Sequence, residues 1–139
     1  MPLSPFHLAI PVNNLAEARA FYGGLFGCNE GRSADHWVDF DFFGHQLVCH
    51  LGEGAGVKLR NAVDGDAVPV PHFGVVLDWG EFQDLARKLE ARKTAFIIAP
   101  RIRFKGEVGE QATFFLYDPS GNALEFKAFK NPDRLFAVS

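Results

Sequence analysis

The sequence predicts an α+β fold made of two packed copies of a βαβββ unit. Three observations carry that prediction. Short runs alternate apolar and polar residues with the period of a half-buried strand, and two other stretches place apolar residues at i, i+3, i+4 and i+7 behind a capping residue. The marks also recur at a nearly fixed offset: His7 and His72 are 65 residues apart, the caps Asn14 and Asp78 are 64 apart, and the stripes starting at Ala18 and Phe82 are 64 apart. An offset kept through strand and helix is an internal repeat with one residue deleted. A unit of roughly 60 residues with one helix buries a two-faced sheet poorly on its own. Two copies are therefore expected to pair, through a pseudo-two-fold axis that brings equivalent strands together.

In the first strand, Phe6, Leu8, Ile10 and Val12 fall on one face, and His7 and Ala9 on the other. Asn14 then caps a helix, with Glu17 three residues on completing a capping box. Ala18, Phe21, Tyr22 and Leu25 form its buried stripe, and Gly27 ends it. Strands are expected over residues 28–33, 36–41 and 45–51, closing a first module at residues 1–51. Residues 52–71, with four glycines and two prolines in the stretch, read as a connecting loop. The second module, 72–129, repeats the plan. His72 lies opposite Phe73, Val75 and Leu77, Asp78 and Glu81 form the cap, and Phe82, Leu85, Ala86 and Leu89 form the stripe. Strands follow at 94–99, 111–117 and 123–129, and residues 130–139 form a C-terminal tail. Aligned on their glycine turns, the last strands of the two modules match Val48 with Glu125.

A chain of 139 residues with 47% hydrophobic and 22% charged residues suits one ordinary globular domain. A net charge of −3 gives no electrostatic reason to expect nucleic acid or an anionic membrane as partner. The N-terminus lacks the basic start and apolar core of a signal peptide and no apolar run spans a bilayer, so a cytoplasmic protein is expected. Cys28 and Cys49 are far apart and show no Cys-x-x-Cys spacing, which argues for buried free thiols. Fifteen phenylalanines against two tyrosines point to bulky sheet packing or pocket lining, with Trp37, Phe40, Phe42, Phe104 and Phe115 as candidates for a pocket.

His7, His72 and Glu125 share one property. Each sits in an apolar strand-like run and points away from its greasy face, beside a small residue that leaves room for an ion. Two imidazoles and one carboxylate make a candidate metal site.

The run Phe6-His7-Leu8-Ala9-Ile10-Pro11-Val12, the helix segment Ala18-Arg19-Ala20-Phe21-Tyr22, and the stretch from Tyr117-Asp118-Pro119-Ser120-Gly121-Asn122 to Ala123-Leu124-Glu125-Phe126 resemble the vicinal oxygen chelate superfamily. That superfamily includes glyoxalase I, extradiol dioxygenases, fosfomycin-resistance transferases and bleomycin-resistance proteins. The resemblance covers nearly the whole chain. It implies a curled sheet of paired modules around an open, metal-containing cleft, with His7, His72 and Glu125 as ligands. Such a set favours Fe(II), with Mn(II), Zn(II) or Ni(II) as alternatives. A small substrate would chelate through vicinal oxygens, and family members are commonly homodimers.

Departures from the family pattern narrow the chemistry. Glyoxalase I uses a fourth protein ligand, a carboxylate, where this chain has Val48. Extradiol dioxygenases carry a further His and Tyr in the second module, yet residues 111–116 contain neither and Phe115 stands near the turn. The resemblance still implies an extradiol-type dioxygenase, an oxidoreductase, ahead of a thiol transferase, a lyase or a metal-free binding protein. His50 shares a strand face with Val48 and is a candidate acid or base, whereas His45 and His36 fall outside the site. Arg101, Arg103 and Lys105 lie in a segment read as a loop, where they could receive a substrate carboxylate or phosphate.

Overall fold

The computed structural model describes residues 3–52, 59–63 and 66–138. The chain divides into two compact units, Met1–Val70 with Asp118–Asn122, and Pro71–Tyr117 with Ala123–Ser139. Its mixed α+β architecture agrees with the predicted fold class. No helix among the described residues is long and apolar enough to cross a membrane.

The first unit holds β1 (His7–Val12), α1 (Leu15–Ala18) continuing as a π-helical turn (Arg19–Leu25), β2 (Asn29–Ala34), β3 (Trp37–Phe42) and β4 (His45–Leu51). The four strands form one sheet in the order β1-β4-β3-β2, with β1 parallel to β4 and the other pairs antiparallel. The Asn14 side chain accepts from the Glu17 N–H at 2.9 Å, as the capping pattern predicts. The helix then widens into π geometry over a stretch containing Gly23 and Gly24, which weaken the α-helical preference. Its stripe still buries Ala18, Phe21 and Tyr22 against Val38, Phe40, Phe42 and Leu47, which side-chain alternation turns to the same face. Phe40 and Phe42 thus belong to the packed core. Cys49 is buried there too, and burial, then the carboxylates of Asp118 and Asp39, push its thiol up to about 12.

The segment Asp118–Asn122 is clipped to this unit. Asp118 accepts from the Tyr22 hydroxyl at 2.7 Å, the Ser120 N–H at 2.9 Å and the Asn122 N–H at 2.8 Å, while the Asn122 side chain donates to the Pro11 carbonyl. Gly121 supplies the turn's positive φ of 87°. The expected connecting loop contains an antiparallel strand pair instead, β5 (Leu59–Val63) against β6 (Asp66–Val70). Glycine and proline content hid two short strands.

The second unit holds α2 (Trp79–Ala91), β7 (Ile98–Arg103), β8 (Gln111–Tyr117) and β9 (Ala123–Phe129), with sheet order β7-β8-β9. Asp78 caps α2 by accepting from the Glu81 N–H at 2.8 Å. Phe82, Ala86 and Leu89 of α2 are buried, and Phe114 packs between Phe82 and Phe126 with centroids 5.3 and 5.4 Å away. The expected strand at 71–77 appears only as isolated parallel bridges, Phe73 to Leu124 and Val76 to Lys127. The strand expected at 94–99 lies later, at 98–103, with a bulge between Ile98 and Arg101. Arg101 and Arg103 consequently stand on a strand rather than a loop, and Lys105 follows it. A short 3-10 turn, Pro132–Arg134, occupies part of the tail.

Candidate functional site

In the second unit, the backbone around Gly74 approaches β9 closely. A Cβ at residue 74 would overlap the Glu125 carbonyl oxygen, so glycine is what allows the strand-like segment to lie against β9 there. That contact, together with the Glu125 N–H donating to the Phe73 carbonyl at 2.8 Å, brings His72 and Glu125 together. His72 Nε2 lies 3.1 Å from Glu125 Oε1, with the two side chains 29% and 13% exposed. The pair is largely withdrawn from solvent.

Thr113 Oγ1 donates to the other carboxylate oxygen, Oε2, at 2.6 Å, and Lys127 Nζ lies 3.9 Å from the same oxygen. Burial alone pushes the Glu125 carboxyl up. The hydrogen bonds from His72 and Thr113 and the Lys127 charge outweigh it, and the net direction is downward. Glu125 is therefore held as a carboxylate with Oε1 directed at His72. Phe115, opposite Glu125 in the β8-β9 ladder, packs edge-on to the His72 ring at 5.1 Å.

The first unit presents its counterpart of this face. Leu8 pairs with Leu47 and Pro11 with His50, while Phe73 bridges Leu124 and Val76 bridges Lys127. Both sets keep the same offsets, 65 on the first strand and 77 on the last. His7 thus matches His72, Val48 matches Glu125 and His50 matches Lys127. His7 Nδ1 lies 2.8 Å from Gln46 Oε1, and Gln46 Nε2 donates to Asp39 Oδ2 at 3.1 Å. Val48 is buried and apolar. His50 is exposed beside Trp37 in the β3-β4 ladder. His45 accepts from the Phe6 N–H through Nδ1 at 2.8 Å, which gives it a structural role.

Of the three candidate ligands, His72 and Glu125 are brought together within one unit, and His7 belongs to the other. Within either unit, among the described residues, no three His, Cys, Asp or Glu side chains group as a metal site. Arg101 pairs with Thr113 and Arg103 with Gln111, so both strand positions fall on the sheet face that carries Glu125. Lys105 is exposed in the following turn, and Phe104 is 47% exposed. Thr113, Lys127, Gln46 and Asp39 were missed as site residues. The signal for Thr113 was present, because alternation along 111–117 sets it with Phe115, opposite the buried Phe114.

A profile of the Glyoxalase/Bleomycin resistance protein/Dioxygenase superfamily matches residues 4–126. A glyoxalase/bleomycin resistance protein/dioxygenase from Alicyclobacillus acidocaldarius is 36% identical, with 96% of each chain covered and a TM-score of 0.80. The lactoylglutathione lyase of Agrobacterium tumefaciens shares the fold at 19% identity, covering 91% of this chain and 94% of that one, with a TM-score of 0.64. The genomically encoded fosfomycin resistance protein FosX of Listeria monocytogenes also shares it, at 21% identity, 97% and 98% coverage and a TM-score of 0.64. Comparison with curated proteins gave no match.

Proposed function

Since the chain belongs to the glyoxalase/bleomycin resistance protein/dioxygenase superfamily, we propose that it is a metal-dependent enzyme acting on a small molecule that chelates through two adjacent oxygens. His7, His72 and Glu125 are the proposed ligands, and extradiol-type dioxygenation is the proposed reaction. The observation that carries this reading is the 3.1 Å approach of His72 Nε2 to Glu125 Oε1, with Oε2 already engaged by Thr113. One imidazole nitrogen and one carboxylate oxygen converge, and the second oxygen is tied back by a donor that fixes its orientation. This donor chemistry fits a divalent cation, with Fe(II) favoured and Mn(II), Zn(II) or Ni(II) as alternatives.

A bound divalent ion supplies Lewis-acid polarisation of the chelated oxygens and, as Fe(II), redox chemistry with dioxygen. The chain's own residues do the rest. Thr113 and Lys127 keep Glu125 ionised, and Phe115 holds the His72 ring. Arg101 and Arg103, at strand positions on the Glu125 face of the sheet, would receive an anionic substituent of the substrate, with Lys105 in the turn that follows. Val48, apolar at the position matching Glu125, supports a set of three protein ligands rather than four, and so disfavours an isomerase of the glyoxalase I kind. His50 is the candidate acid or base on the first unit.

The test is product analysis. Protein reconstituted anaerobically with Fe(II) and offered a panel of catechols is expected to form ring-opened product only after O2 is admitted. Turnover of a vicinal-oxygen substrate that proceeds equally without O2 would replace the dioxygenase reading with a lyase or transferase.

A further inference from the structure

The hydrogen bonds behind His7 run through two side chains, and their chemistry permits one arrangement. We propose that Gln46 and Asp39 are positioning residues that fix the tautomer of His7 and so decide which ring nitrogen can bind a metal. The proposal rests on His7 being a ligand, as argued above.

The reasoning starts at Asp39. An ionised carboxylate can only accept hydrogen bonds, so the Gln46 atom 3.1 Å from Asp39 Oδ2 must be the amide nitrogen. The amide oxygen is then the atom facing His7, 2.8 Å from Nδ1. An amide oxygen also only accepts, so Nδ1 must carry a proton. A neutral imidazole protonated on Nδ1 has its lone pair on Nε2, the form a metal needs at that nitrogen. Removing the carboxylate's constraint would free the amide to turn over and the ring to exchange tautomers.

Backbone pairing supports the alignment. His7 pairs with Gln46 across the β1-β4 ladder. Asp39 pairs with Val48, two residues along from Gln46, which sets all three side chains on one face. In the second half the position matching Gln46 is Ala123 and the position matching Asp39 is Phe115, so neither supplies an amide or a carboxylate. There the imidazole faces Glu125, itself a proposed ligand. The two halves therefore orient their histidines by different means.

The experiment reads the tautomer directly. Long-range nitrogen–proton NMR correlations are recorded on the metal-free full chain at about pH 9, well above the ordinary imidazole pKa of about 6.5. The His7 signals are assigned by their loss in His7→Gln. In the wild type, His7 is expected to show a protonated Nδ1 and an unprotonated Nε2. Gln46→Leu, and Asp39→Asn, whose amide can donate as well as accept, are each expected to introduce the Nε2-protonated form and to weaken Zn(II) binding by roughly 10–100-fold. A wild-type His7 protonated on Nε2, or a tautomer unchanged in both variants, would overturn the proposal even if metal binds. The expected tautomers in a protein that takes up no Zn(II) would uphold the positioning role and remove the metal-dependent reading instead.

Discussion

Glu125 is gripped on both oxygens, by His72 at 3.1 Å and by Thr113 at 2.6 Å. A carboxylate whose pKa is held down adds stability above its unfolded pKa of about 4.3, and that contribution is lost as the pH falls through the lower, folded value. Thr113→Val keeps the shape of the side chain and removes the donor. In the metal-free protein, the Glu125 pKa should rise toward its unfolded value, so the acid-linked loss of stability should be smaller and complete at higher pH, measured by carboxyl NMR titration and by denaturant unfolding across the acid range. The freed carboxylate should also bind Zn(II) about 10-fold more weakly. At this scale the sequence was informative about direction and silent about partners. Alternation alone set His72 and Glu125 opposite the apolar residues, because it needs only one strand at a time. Alternation also turns Thr113 to the face of Phe115, but its partner Glu125, like the Gln46–Asp39 chain, emerges only from which residues lie across the ladder, and that depends on register.

Among the elements, the helix starts were legible because a cap is local: Asn14 and Asp78 each accept from the backbone N–H three residues on, where spacing alone places them. The ladders β4, β8 and β9 also begin and end where the alternation does. Besides the β5 and β6 strands, two elements departed from expectation. The strand expected at 94–99 moved to 98–103, because it forms where β8 offers partners and a bulge lets it accommodate Pro100. The run at 71–77 kept its position beside β9 but not its continuity, and Gly74 explains both the contact and its tightness. Gly74→Ala would drive a methyl into the Glu125 carbonyl. That variant should lose roughly 1–3 kcal/mol or more of stability, read as a lower denaturant midpoint. It should also separate His72 from Glu125, read as loss of the downward shift of the Glu125 pKa. A variant as stable as the wild type would show that the close approach is not required.

Across the whole molecule, the repeat was the most transferable information in the chain. The offsets of 65 on the first strand and 77 on the last reappear as backbone pairings in both halves, and the fold class follows from them. The halves differ where chemistry is decided: Val48 stands against Glu125, and Gln46 against Ala123. A repeat can be recognised from what two halves share, whereas a reaction is set by what they do not, which is why the fold was easier to read than the catalysis. The account depends on His7, His72 and Glu125 binding one cation, and the most direct test is calorimetric titration of the metal-free chain with Zn(II) or anaerobic Fe(II). One ion per chain is predicted for the wild type, with binding abolished in each of His7→Ala, His72→Ala and Glu125→Ala while all three remain folded. A folded wild type that takes up no divalent metal, or a His7→Ala protein that binds as tightly as the wild type, would contradict it.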